Sequence, residues 1–388
     1  MAPTTKRTVA FGGIAAVAAL VAGGGVSHAS TGRNTVCAVP SRYASIQAAV
    51  DAPACGTIKV APGTYAENVA IGRSLKLYGA RSGQDARSRR GGAESVVNGG
   101  ALATITITAD NVTVDGFTLN GPAGSGTAAL VMQTGNSGET IQNNIVNNPG
   151  RAASITTSRT TISRNLVRNT TTAQDGFQTN TMPVRDVTIS DNTFAGPAAP
   201  TYNADVTFIE GNRNLTVTGN RSTGNGTLVA LFKTAGARVA DNTVAGTANS
   251  SAIYLGGGNS NVTVSGNTVS SARSAVRVDN SFGAGANSGV TITRNALRQN
   301  QYGVNVGASS ASGTLAVNRN SITGNTAYGV FNDPASGATV NATCNWWGSL
   351  TGPGPVGPGR GDKVSTAVTY RPWLKLSSLL LGCQESRH

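Results

Sequence analysis

The chain has 388 residues with 30 basic and 17 acidic side chains, a formal net charge of +13, four cysteines and two histidines. Two histidines, His28 and His388, and the lack of any Cys-X-X-Cys argue against a metal centre, and an aromatic content of 5% leaves few stacking platforms for nucleic acid. Fifty glycines and 14 prolines are too few to imply disorder, so the excess of positive charge reads as a folded surface suited to polyanions or simply to solubility.

Residues 1–29 carry Lys6 and Arg7, then an apolar Ala/Gly-rich stretch from Val9 to about Gly25, then a small-residue site ending at Ala29. This pattern predicts a secretory signal peptide cleaved near Ala29, and hence a secreted, extracellular protein. No other stretch is long and apolar enough to span a bilayer, so no membrane insertion is expected. The remaining chain, 30–388, is expected to be a single domain.

Residues 45–71 predict a short amphipathic helix with Ile46, Ala49 and Val50 on one face, then two strands around the turn Pro62-Gly63. A Gly-rich loop follows that carries Arg81, Arg87, Arg89 and Arg90. From residue 139 one short pattern recurs: apolar and small polar residues alternate and end on an asparagine. The asparagines are Asn144, Asn165, Asn192, Asn220, Asn242, Asn267, Asn295, Asn320 and Asn345, spaced 21 to 28 residues apart. That period is a solenoid's, and a second apolar run in each copy leaves no room for a helix. The predicted fold is all-β: a parallel β-helix of roughly ten to twelve coils, right-handed, with strands of successive turns about 4.8 Å apart. Its N-terminal cap is expected at about 35–60, its coils at about 60–345 and its C-terminal cap at about 346–383. The asparagines are expected to occupy left-handed corners and to hydrogen-bond from turn to turn.

The cysteines fall near the two ends, Cys37 with Cys55 and Cys344 with Cys383. Neighbour pairing would staple each end of an open stack, where a disulfide typically contributes about 2–4 kcal/mol.

The segment SIQAAVDAPACGTIKVAPGTYAENVAI (45–71) resembles the capping helix and first coil of the pectin lyase-like superfamily, most closely its pectin methylesterase-type beginning. NWWGSLTGPGPVGPGRGDKVSTAVTYRPWL (345–374) resembles the closing segment of bacterial β-helix repeat proteins. The resemblance implies a β-helix that contacts extracellular polysaccharide. It does not carry a reaction over, because the family's catalytic motifs are absent. Polygalacturonases use an interior histidine, and alginate epimerases of this fold use an Asp-Pro-His-Asp run of which only Asp333-Pro334 has an echo. The esterases need a Gln-Asp, an Asp-Phe and an Arg-X-Trp; Gln174-Asp175 imitates the first, and no Arg-X-Trp follows.

Alternate side chains of a strand point outward, so one position per coil builds a surface column. In the second strand series that column runs Gln178, a residue near Ile209, Ala230, Tyr254, Arg277, Asn305 and Phe331. Lys233, the only lysine between Lys76 and Lys363, either points outward or caps its strand. A polysaccharide lyase needs a base and a cation facing the uronate carboxylate. Lys233 as base, Arg277 as neutraliser and Tyr254 as proton donor meet that requirement, with Gln178 and Asn305 as substrate contacts. A hydrolase would instead use two of Asp205, Glu210 and Asp279. A non-catalytic carbohydrate-binding or cell-surface protein is the alternative to either enzyme. The expected partner is an acidic polysaccharide rather than nucleic acid, and the expected state is a monomer. No cofactor is required by these residues, and calcium is left open.

Overall fold

The computed structural model describes residues 35–376, apart from 89–90, 123–126, 134, 169–174, 180–181, 197–203 and 225. The expected signal peptide and Cys383 therefore lie outside the described residues. Within them the chain winds into three parallel sheets of 14, 11 and 13 strands, in which each strand pairs with its counterpart one turn before and one turn after. About twelve turns stack in this way.

Register follows from the alternation in the sequence. In the first sheet Ile141, Ile162, Ile189, Val217, Val239, Val264, Ile292 and Val317 stand in one line through successive turns, and all are buried. A one-residue slip would turn this whole aliphatic stack to water, so the register is strongly specified. The third sheet contributes a matching stack of Phe177, Val206, Val229, Ile253, Val276, Val304 and Val330.

At the N-terminal end the helix Ile46–Asp51 buries Ile46, Ala49 and Val50 over the first coil. Six residues are too few for a helix to persist unaided, and both of its ends are held from outside. Ser45 Oγ accepts from Ala48 N–H at 3.1 Å, and Glu67 accepts from Ile46 N–H and Gln47 N–H at 3.0 and 2.9 Å. The Arg73 guanidinium donates to the carbonyls of Val50, Ala52 and Cys55. A Cys37–Cys55 disulfide joins the first two strands. At the other end the strands Pro353–Pro355, Gly361–Val364 and Val368–Thr369 still join sheets, and the Trp347 side chain is fully buried against the last coils.

The nine asparagines form an unbroken buried ladder. The Nδ2 of each of the first eight donates to the Oδ1 of the next asparagine, at 3.2 Å for Asn144 to Asn165 and at 2.9 to 3.1 Å from there to Asn345. The same Oδ1 also accepts the backbone N–H of the asparagine before it. The corner geometry differs from expectation. The left-handed residue is the one before the asparagine: Asn143, Arg164, Asp191, Gly219, Asp241, Gly266, Arg294, Arg319 and Cys344 have φ between 54° and 68°. The asparagine's work inside the corner is hydrogen bonding, and its predecessor takes the turn. Arg164, Arg294 and Arg319 take this left-handed slot with their side chains exposed.

Candidate active face

The third sheet presents the outward column in full register: Ser154, Gln178, Thr207, Ala230, Tyr254, Arg277, Asn305 and Phe331. The position expected near Ile209 is Thr207. At the centre, on the strands Ser251–Leu255, Ser274–Val278 and Tyr302–Val306, Tyr254, Arg277 and Asn305 are adjacent. Arg277 Nη1 donates to Asn305 Oδ1 at 2.6 Å, and Nη2 donates to Asp279 Oδ1 at 3.3 Å. The Tyr254 hydroxyl donates to Asp279 Oδ2 at 3.1 Å and shares a short hydrogen bond with the Ser281 hydroxyl. Asp279 therefore fixes both the phenol and the guanidinium, and Gly307 leaves the space that Arg277 fills, since a Cβ there would meet Nη2 at 2.6 Å.

Burial is the main cause that raises the Tyr254 phenol above its ordinary pKa, with the neighbouring Asp279 charge adding and the Ser281 hydroxyl opposing. At neutral pH it is a proton donor. Aromatic rings flank this centre on both sides. Phe232 packs edge-on against Tyr254 with centroids 5.8 Å apart, and Phe282, 94% exposed, tilts against Phe232 at 6.0 Å. On the strand Tyr302–Val306 and the next one, Tyr328–Asn332, Tyr302 and Tyr328 stack in parallel at 6.2 Å, with Phe331 5.2 Å from Tyr328. Phe331 belongs to the column that the repeat predicts, whereas no periodicity distinguishes Phe232 and Phe282, and Phe282 in a Gly-rich turn is an apolar residue that no strand pattern asks for.

The other candidates stand apart from the centre. Lys233 caps its strand: its φ is 48°, it lies beyond the outward column, and its Nζ pairs with Glu210 at 3.3 Å, both side chains about half exposed. No hydrogen bond or ion pair joins Lys233 to Tyr254 or Arg277 among the described residues. Asp205 is 2% exposed and takes a short hydrogen bond from the Ser222 hydroxyl. Asn305 is 7% exposed and is engaged in holding Arg277 rather than offered to solvent. Gln178 has a buried Oε1 with no partner among the described residues. Among the described residues no three acidic, His or Cys side chains gather as a cation site.

Asp175, which the sequence offers only as an echo of the esterase Gln-Asp, lies just before the strand that carries Gln178. Burial pushes its carboxyl above the usual range, partly offset by the Ala204 N–H at 2.8 Å, the Thr207 hydroxyl and the Arg151 charge. An acid whose folded pKa is raised gives its full contribution to stability below the unfolded pKa and loses it as pH rises through the folded value. Asp175→Asn keeps the acceptor for Ala204 and removes the buried charge. Its melting temperature is expected a few degrees above wild type at pH 7 and nearly equal at pH 4, and thermal scans at the two pH values test this.

The Gly-rich arginine loop lies over a corner between the first and second sheets. Arg87 pairs with Asp85 and faces Asp191, Arg81 faces Glu94, and Ala86 packs on Ile145 and Leu166. Arg89 and Arg90 lie outside the described residues.

The family described as right handed beta helix region matches residues 96–269 and 134–344, together more than half of the chain. No curated protein sequence matches. Solved structures with similar coordinates include DFA-IIIase from Arthrobacter chlorophenolicus A6 without its lid, at 12% identity over 81% of this chain and 89% of that one, TM-score 0.48. An alginate lyase from Paenibacillus sp. is 14% identical over 69% of this chain and 89% of its own, TM-score 0.45. The mannuronan C-5 epimerase A-module of Azotobacter vinelandii is 14% identical over 84% and 92%, TM-score 0.41. Likeness at this level, with every TM-score at 0.48 or below, carries no argument about this chain.

Proposed function

The chain belongs to the right-handed β-helix family, and from that premise we propose that it is a secreted protein whose third sheet takes an acidic, uronate-containing polysaccharide along the solenoid axis. One observation carries the reading. A guanidinium oriented by Asn305 and Asp279 stands between two groups of aromatic rings on one face. Rings offer apolar faces to pyranose units, and an oriented arginine suits a carboxylate, which it can meet with two parallel N–H donors.

The enzymatic form of this proposal is β-elimination. The Lys233 amine would take the proton beside the uronate carboxylate while the glycosidic C–O bond breaks. The Tyr254 phenol would protonate the leaving oxygen, and Arg277 would stabilise the charge that builds on the carboxylate. The Lys233–Glu210 pair would have to open first, and that pair is the observation favouring the second reading, a non-catalytic binding protein using the same face.

A panel of acidic and neutral polysaccharides, scored for binding and for unsaturated-uronate absorbance, separates the two readings. Product with pectate or alginate supports the lyase, binding without product supports the module, and no response to any polymer overturns both. Phe282→Ala is expected to weaken polymer binding about 5- to 10-fold, on the scale of one lost ring contact, without moving the melting temperature. Titration and a thermal scan of that variant check both halves.

A further inference from the structure

A cavity of about 680 Å³ opens at the N-terminal end of the first sheet, away from the face described above. Its volume is in the range of small-molecule sites, which span about 300–1,000 Å³. Ala38, Lys59 and Tyr78 occupy the same outward position in three successive strands. The short Ala38 side chain leaves room that a longer one would fill, and Pro40 and Pro62 are among the residues that line the cavity. Neither the Lys59 ammonium, the Tyr78 hydroxyl nor the Ser41 hydroxyl has a hydrogen-bond partner among the described residues.

The next position in that column is an acid, yet it does not neutralise Lys59. Asp115 accepts from Ser82 Oγ at 3.2 Å, Gly83 N–H at 3.1 Å, Gln142 Nε2 at 3.2 Å and Asn143 Nδ2 at 2.8 Å. Its lone pairs are taken by these four donors, one of which, Ser82, lines the cavity. The cavity is thus lined by Lys59, which pairs with no acid among the described residues, by the Tyr78 phenol, and by the Ser41 and Ser82 hydroxyls, of which Ser82 is already engaged with Asp115.

We propose that this cavity is a second saccharide site, which binds a single pyranose ring bearing a carboxylate, with Lys59 on the carboxylate and the ring against Tyr78. The site is independent of the reading given to the third sheet. Its ligand chemistry has two sources, a free hexuronate or the terminal unit of a uronate polymer.

The test is a titration of the full chain with D-galacturonate and D-glucuronate, with D-galactose and acetate as controls, followed by amide NMR shifts near Lys59. The hexuronate is expected to bind at least 10-fold more tightly than galactose or acetate. Lys59→Met, which keeps the apolar stem, should lose 10-fold or more with an unchanged melting temperature, and Tyr78→Phe should lose less. Arg277→Ala should leave monomer binding intact, so that failure of the third-sheet reading and failure of this one are told apart. A tri-uronate binding more than 10-fold more tightly than the monomer, with the loss in Lys59→Met preserved, identifies the polymer end as the source, and equal affinities identify the free sugar acid. No hexuronate binding, equal binding of galactose, or full binding by Lys59→Met overturns the proposal.

Discussion

Asn267→Ala is expected to cost about 3 kcal/mol in urea unfolding, since stranded buried polar groups cost about 1–3 kcal/mol each. The Asn267 side chain is fully buried and makes five hydrogen bonds. Its Oδ1 accepts from Asn242 N–H at 3.0 Å and Asn242 Nδ2 at 2.9 Å, and its Nδ2 donates to Asn295 Oδ1, Val239 O and Ser265 O at 2.9, 2.9 and 3.1 Å. Alanine removes all five and leaves the Asn242 N–H buried with no acceptor. Two controls locate the effect. Gly266→Ala, at the left-handed corner with φ of 68°, puts a Cβ against the Asp241 carboxylate and should cost about 1–2 kcal/mol through strain. Thr263→Ala, outward on the same turn, should cost less than about 1 kcal/mol. If all three variants unfold at the same urea concentration, the ladder contributes nothing specific to the stack.

The sequence made the solenoid legible because each turn repeats the same two physical demands. A buried aliphatic at every second strand position and a hydrogen-bonding amide at every corner leave a period of about 25 residues that no globular fold would keep. Corner conformation was less legible, because asparagine is itself a common left-handed residue. Only the coordinates separate the residue that turns from the residue that bonds. Arg164, Arg294 and Arg319 then read as turn residues, a role in which arginine has no special propensity.

The candidate face was legible in its column and illegible in its contacts. Tyr254, Arg277 and Asn305 follow from counting strands, since adjacent coils place equivalent residues side by side. The role of Asp279 depends on where a side chain bends beyond the strand end, and pattern says nothing of that. Lys233 shows the same limit. One residue of register decides between facing a sugar and turning a corner, and its φ of 48° puts it at the corner. The first aromatic flank escaped notice because Phe232 and Phe282 meet only when a turn after the strand Ser274–Val278 folds back over an earlier coil.

The chemistry proposed for this face rests most heavily on Arg277. Arg277→Ala is expected to weaken binding of a uronate polymer 10-fold or more. Arg277→Lys should recover only part of that, because an ammonium cannot reach Asn305 and Asp279 together and still present two donors to a carboxylate. The same substitutions should leave binding of a neutral polymer nearly unchanged, which distinguishes a carboxylate contact from general loss of the face. For the lyase form, Lys233→Ala should abolish product while leaving polymer affinity and melting temperature within error, because the side chain is half exposed and acts only in the transition state. Unsaturated-uronate absorbance and polymer titration on the same preparations read both effects. Loss of product in Arg277→Ala together with full activity in Lys233→Ala would remove the lysine as base and turn attention to the carboxylates Asp205, Glu210 and Asp279. Of these Asp279 has the strongest claim, since it alone touches both Tyr254 and Arg277.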